Sequence, residues 1–245
     1  MERIQKVLSR YGVCSRRAAE ELIKRGSVKL NGRAVKLGDK MDPKRDVLAV
    51  DGKRVHLAPK LEMHYYMLNK PRGVVTTLSD RHAKKDVSAL IKGVEARLFP
   101  VGRLDKDSEG LLLMTNDGRF ANMIAHPSRG VTKGYRVSVK PAASEAQLSA
   151  LASGVELDGG RTAQAPVRVT REEAGRTVFE IALKEGKNRE IRRMCEAVGL
   201  EVTRLKRTSI GPLSLGALKS GEYRELSKAE LAALWGAAGK EKTGK

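Results

Sequence analysis

The residues best suited to chemistry lie between Gly102 and Gly118, where GRLDKDSEGLLLMTNDG sets Asp105, Asp107 and Glu109 at alternate positions before an apolar run. Alternating carboxylates open a calcium loop, but its twelfth position would be Asn116 rather than Glu, and its second half is Leu111, Leu112, Leu113 and Met114. A metal loop does not fit. A carboxylate followed at once by a fully apolar strand stands at the mouth of a core element, a rigid place for a reacting group. The competing reading is an aspartate that satisfies the backbone of its own turn. A second cluster follows at Arg189, Arg192 and Arg193, on the face of a helix opposite the stripe Ile191, Met194, Cys195 and Val198.

Other chemistries lack a basis. His56, His64, His82 and His126 share no metal-ligand spacing with each other or with Cys14 and Cys195, and no metal is expected. The two cysteines read as small apolar core residues. No GxSxG elbow is present. The run from Gly239 to Lys245 imitates a phosphate loop without a preceding strand or the Ser or Thr that binds magnesium.

Charge points to the partner. Among 245 residues, 48 Lys and Arg oppose 29 Asp and Glu, a net charge of +19. Such a surface concentrates polyanions and gains from counterion release when it neutralises phosphates. Nucleic acid is the expected partner and no membrane is expected, because only 4% of residues are aromatic and no long apolar stretch occurs. Neither a leader pattern nor a disulfide framework is visible, so a cytoplasmic protein is expected.

The elements that must position these residues fall into two parts. The first sixty residues carry 16 Lys or Arg against 7 Asp or Glu. Ile4, Val7, Leu8 and Tyr11 predict one helix ended by Gly12. Ser15 caps a second, with a stripe of Ala18, Ala19, Leu22 and Ile23 up to Gly26. Asn31-Gly32 and Asp51-Gly52 predict tight hairpin turns. Arg16, Arg17, Lys24, Lys29 and Arg33 decorate the polar side and are the candidate nucleic-acid contacts of this part. We expect a domain over 1–58, a linker over 59–64, a second domain over 65–236 and a basic frayed tail over 237–245. In the second domain strands are expected at 65–68, 98–101, 111–115, 135–139, 167–170 and 178–183. Ser144 with Gln147 and Ser227 with Glu230 have the spacing that opens helices. Strands and helices do not alternate strictly, so the fold class is α+β.

Four separated motifs, in order, resemble one family. GRLDKDSEGLLLMTNDG is similar to the catalytic segment of the RsuA/RluB group of RNA pseudouridine synthases, and LNKPRG (68–73) resembles its upstream motif. KGYRV (133–137) and EGKNREIRRM (185–194) resemble its two later elements, with Ser108 in place of the usual Thr. The first sixty residues resemble an S4 RNA-binding domain. The resemblance implies a mixed, mainly antiparallel sheet in the catalytic domain and the conversion of uridine to pseudouridine without a cofactor. It implies that Asp105 is the catalytic carboxylate, that Tyr135 stacks on the base and later acts as general base, and that Arg192 is the ion-pair partner of Asp105. Arg103 would help extrude the nucleotide, with Lys133, Asn188 and Arg189 in substrate binding. Whether Asp105 attacks C1′ or removes a sugar proton stays open. Ribosomal RNA, free or in an assembly intermediate, is the expected partner of a monomer. The opening residues and the NREIRRM helix look most like the branch that modifies 23S rRNA. The alternatives are the 16S branch, a ribosome-assembly protein without catalysis, and a metal-dependent nuclease using Asp105, Asp107 and Glu109.

Overall fold

The computed structural model describes residues 1–57, 61–77 and 86–239. The end of the expected first domain and start of the expected linker, 58–60, the segment 78–85 with His82, and 240–245 lie outside them. The chain divides into two compact units, residues 1–64 with Glu95–Arg97 and Asn116–Gly118, and the remainder from Tyr65.

In the first unit, α1 (Ile4–Arg10) and α2 (Arg16–Lys24) pack through Ile4, Val7, Leu8, Ala19 and Ile23 onto Val28, Val35, Met41 and Leu48. The Ser15 hydroxyl accepts the Ala18 amide at 3.0 Å, which satisfies a backbone donor that the helix itself leaves unpaired. Strand Val28–Leu30 pairs with Arg33–Ala34 and with Leu48–Val50, which in turn pairs with Lys53–Arg54. Asn31 and Gly32 have φ of 48° and 84°, and Asp51 and Gly52 have 48° and 77°, the left-handed pairs that such turns require. The expected helix pair and hairpin are present.

The second unit is built on a nine-stranded sheet. Its strands are β1 (Tyr65–Lys70), β2 (Phe99–Val101), β3 (Glu109–Thr115), β4 (Lys133–Lys140), β5 (Val167–Glu173), β6 (Arg176–Leu183), β7 (Glu201–Ile210), β8 (Leu213–Ser214) and β9 (Tyr223–Glu225). The order is β5-β6-β4-β7-β3-β1-β9, with β8 beside β7 and β2 beside β3. Every pairing is antiparallel except β7 with β3. That parallel seam joins two half-sheets through only two register pairs, Lys206 with Glu109 and Arg207 with Gly110.

Helix α3 (Gly118–Ala125) and α6 (Lys228–Gly239) close the main core, where Phe120, Ile124, Leu234 and Ala238 meet Met67, Leu111 and Leu113. α4 (Glu145–Ser153) opens with the expected capping box of Ser144 and Gln147, and α5 (Glu190–Ala197) carries the basic cluster. α6 continues to Gly239 with Ala238 fully buried, so residues 237–239 of the expected frayed tail are helical, and the rest of that tail lies outside the described residues. No helix among the described residues is long and apolar enough to cross a membrane.

The start of α6 makes a pH prediction. Arg224 donates to both Glu230 oxygens, at 2.8 and 2.6 Å, and Ser227 caps the same turn, so the Glu230 carboxyl falls to about 2. A lowered carboxyl stabilises the fold above its unfolded value near 4.5 and loses that contribution as pH falls toward 2. The pair is partly exposed, so Glu230→Gln should cost about 0.5–1 kcal/mol at pH 7, less as pH falls below the unfolded value, and little below the folded value, read by urea denaturation.

Candidate active site

Asp105 lies in the loop that delivers the chain into β3, and backbone bonds fix the loop on both sides of it. The Leu104 carbonyl accepts from the Thr76 hydroxyl at 2.6 Å, while the Leu104 amide donates back to that oxygen at 3.2 Å. The Gly73 amide donates to the Lys106 carbonyl at 2.6 Å, and the Ser108 amide to the Asp105 carbonyl at 3.1 Å. Leu104 and Ser108 are buried, whereas the Asp105 side chain remains 36% exposed. This carboxylate is held still and yet open. Beyond the loop, β3 is buried on both faces from Gly110 to Thr115, as its unbroken apolar run requires.

The ion pairs around the loop differ from the expected arrangement. Arg192 pairs with Asp107 rather than with Asp105: its Nη2 is 3.2 Å from the Asp107 carboxylate and donates to the Asp107 carbonyl, also at 3.2 Å. The tight turn from Asp105 to Ser108 presents both oxygens of Asp107 to α5, and Nη1 of Arg192 is committed to the Val202 carbonyl at 3.1 Å. The ion pair of Asp105 is with Arg189, at 3.8 Å, and Arg189 also reaches Asp107 at 3.4 Å. Asp105 is still near enough to Arg192 to act on its charge. Burial lowers the Arg192 pKa, against the pull of Asp107.

Arg189 adopts φ 49° at the start of α5, which brings it over the loop. Arg72, Gly73, Asp105, Lys106, Asp107 and Arg189 line a cavity of about 380 Å³. Arg103 and Asn188 are exposed, and no hydrogen bond or ion pair among the described residues ties them to this cluster.

Tyr135 is buried on β4, directly opposite Arg207 of β7, which is in turn opposite Gly110 of β3. The tyrosine and the Asp105 loop are thus related by register across the parallel seam. Tyr135 lines a separate cavity of about 540 Å³ with residues of β4, β6 and β7. Lys133, two residues earlier on the same face, is half-buried and close to Glu190 of α5 and to Arg207. Its pKa is lowered first by burial and then by Arg207.

Two cations to which the sequence pattern assigns no role stand behind the loop. Lys70 is fully buried at the end of β1, with Nζ donating to the carbonyls of Pro71 at 3.0 Å and Val74 at 2.7 Å. Burial pushes it down to about 8, although Asp105, Asp107 and Glu109 pull the other way. Arg207 is 3% exposed and its Nε donates to the Leu111 carbonyl at 2.7 Å across the seam. A lysine at the end of a buried strand, YYMLNK, was a visible signal for the first. No local signal marks the second. Among the described residues no cluster of His, Cys, Asp and Glu could hold a metal. In the first unit Arg16, Arg17, Lys29 and Arg33 are exposed, while Lys24 is paired with Glu21 at 2.8 Å.

Comparison with known proteins identifies this arrangement. Residues 64–197 match the family model described as RNA pseudouridylate synthase, and residues 2–47 match the S4 domain. The chain is 43% identical to an uncharacterised RNA pseudouridine synthase of Aquifex aeolicus, covering 97% of this chain and 95% of that protein. It is 42% identical to the ribosomal large subunit pseudouridine synthase B of Bacillus subtilis, covering 94% of each. A crystal structure of a pseudouridylate synthase superposes with a TM-score of 0.67 at 28% identity, over 96% of this chain and all of that one. With an S4 domain ahead of a mixed sheet that carries Asp105 at the mouth of a buried strand, the chain belongs to the RNA pseudouridylate synthase family.

Proposed function

We propose that this chain converts a uridine of large-subunit ribosomal RNA to pseudouridine, with Asp105 as the acting carboxylate. The observation that carries this reading is the fixed, half-open Asp105 in a cavity shared with Arg72 and Arg189. The assignment to the large subunit rests on likeness to the Bacillus subtilis protein named for that activity. Residues 1–58 serve as the RNA-binding part and residues 65–236 as the catalytic part. The enzyme acts in the cytoplasm as a monomer, on free rRNA or an assembly intermediate.

The reaction breaks the C1′–N1 bond, turns the uracil and joins C1′ to C5; C5 gives up its proton and the freed N1 takes one up, so substrate and product are isomers. It has no net redox change. The target base must first leave its stack, at a cost of a few kcal/mol, offset by stacking on Tyr135 and by pocket contacts. Arg103 assists extrusion, and Lys133, Asn188 and Arg189 hold the nucleotide. Once RNA covers the loop, desolvation drives a carboxylate toward its neutral acid. Arg189 beside Asp105, and Arg192 held one step away on Asp107, oppose that drift. Tyr135 then accepts the C5 proton. Arg16, Arg17, Lys29 and Arg33 contact RNA phosphates from the first unit, with Lys24 available if it leaves Glu21.

Mapping pseudouridines chemically in both ribosomal RNAs, with and without the gene, tests the substrate. The expected result is loss of a large-subunit site and restoration by the intact gene. Loss confined to the small-subunit RNA would overturn the assignment.

A further inference from the structure

Alternation along β4 separates two faces of the sheet. Tyr135, Val137 and Val139 point into the buried side, and Tyr135 lies directly opposite the buried residues Ile181 and Arg207. Arg136 points the other way. Its cross-strand neighbours extend in one row over five strands: Glu109, Lys206, Arg136, Glu180 and Arg168. A second row follows with Arg204, Ser138, Val178 and Arg171. The side chains of Arg136, Arg171 and Arg204 on this face are 56, 68 and 65% exposed.

A cavity of about 400 Å³ opens here, lined by Arg136, Arg171, Arg176, Arg204 and Lys206 with two hydroxyl side chains and Val178. None of its lining residues is acidic. The neighbouring carboxylates are shared among the arginines: Glu180 takes Arg136 and Arg168, Glu173 takes Arg171 and Arg176, and Glu109 takes Arg204. Three acids therefore face six cations. Lys206 has no ion pair among the described residues, and the Arg176 Nε meets Glu173 as an ion pair at 3.4 Å without a hydrogen bond. Six cations against three carboxylates, around a groove with no acid in its lining, call for an anion.

We infer that this face is a second RNA-docking surface, which holds phosphates of a strand running past the target nucleotide. Strands in a sheet are about 4.8 Å apart, so the two rows form a comb of cations rather than a single anion pocket. An extended polyanion fits such a comb better than a lone phosphate. Arginines also present paired N–H groups that match phosphate oxygens. RNA is the polyanion this family handles, and a ribosomal RNA is large enough to engage both faces at once.

The test uses the full chain carrying Asp105→Asn, so that turnover does not enter and the outcome is independent of the role of Asp105. Its probes are full-length transcripts of both ribosomal RNAs and a short uridine-bearing hairpin. Arg171→Gln/Arg176→Gln/Lys206→Gln should weaken binding of the long transcripts at least about tenfold at 0.1 M salt. The slope of log affinity against log salt should become shallower by roughly 2, at about 0.7–0.9 for each phosphate no longer neutralised. Hairpin affinity and the thermal midpoint should not change. The Arg171→Lys/Arg176→Lys variant, which keeps the charge and loses the paired N–H groups, should keep the parental salt slope. Unchanged affinity and slope on long RNA, or an equal weakening on the hairpin, would overturn the inference. If the triple variant does not fold, Lys206→Gln alone should make the slope shallower by about 0.7–0.9, and an unaltered slope there is equally decisive against it.

Discussion

Asp105→Asn should lower pseudouridine formation by at least about a thousandfold, the scale of loss when a group acting on the reacting atoms is removed. The amide keeps the shape and volume of the carboxylate, and the loop that holds it is fixed by backbone bonds at Leu104, Lys106 and Ser108 rather than by the side chain. The ion pair directly removed is that with Arg189 at 3.8 Å, between side chains 36 and 47% exposed, which contributes little to stability. Activity should therefore vanish while RNA affinity and the denaturation midpoint stay near those of the parent. Single-turnover assay, filter binding and urea denaturation read the three quantities separately. Product at the parental rate would remove Asp105 from the reaction. Asp107→Asn makes the informative comparison, because it releases Arg192 from its ion pair but leaves Asp105 intact. A partial loss is expected there, since the Asp107 carbonyl still holds Nη2.

Residue order alone does not suggest that comparison. Local devices were legible: the Ser15 cap, the Asn31-Gly32 and Asp51-Gly52 turns and the Ser144 to Gln147 box each depend on a few neighbouring residues, and each is present. The apolar run of β3 was equally plain. What escaped was non-local. β7 is the longest strand of the sheet, yet EVTRLKRTSI gives no clean alternation, because an arginine occupies an inward position at Arg207 and long polar side chains fill the outward ones. Pairing of Arg192 with Asp107 instead of Asp105 depends on which way a four-residue turn aims two oxygens, and sequence spacing does not specify that. Lys70 was visible as a residue, but not its complete burial.

The parallel seam is the least legible feature and leads to the second large effect. Gly110 adopts φ +104°, and a Cβ built there would lie 2.2 Å from the Arg207 carbonyl oxygen and 2.8 Å from the Arg207 amide nitrogen. Both are backbone atoms, so relief requires that β3 and β7 move apart. Gly134 makes the contrast clear. A Cβ there would meet the Ser209 hydroxyl at 2.4 Å, the end of a side chain that can rotate away. At Gly110 the backbone also occupies a region that costs an L-residue of order 1–3 kcal/mol before any clash. Gly110→Ala should thus destabilise the protein by about 3 kcal/mol or more, with Gly118→Ala, where nothing lies within 4 Å, as the neutral control. The consequence for catalysis follows from register. Arg207 bonds the Leu111 carbonyl across the seam and stands opposite Tyr135, so separating the strands shifts Tyr135 relative to the loop that carries Asp105. In the fraction that remains folded, the single-turnover rate should fall by about a hundredfold, as small misplacements of reacting groups do, with RNA affinity largely kept. A Gly110→Ala enzyme with the parental midpoint and rate would show that the two half-sheets tolerate separation and that the seam does not set the geometry of the site.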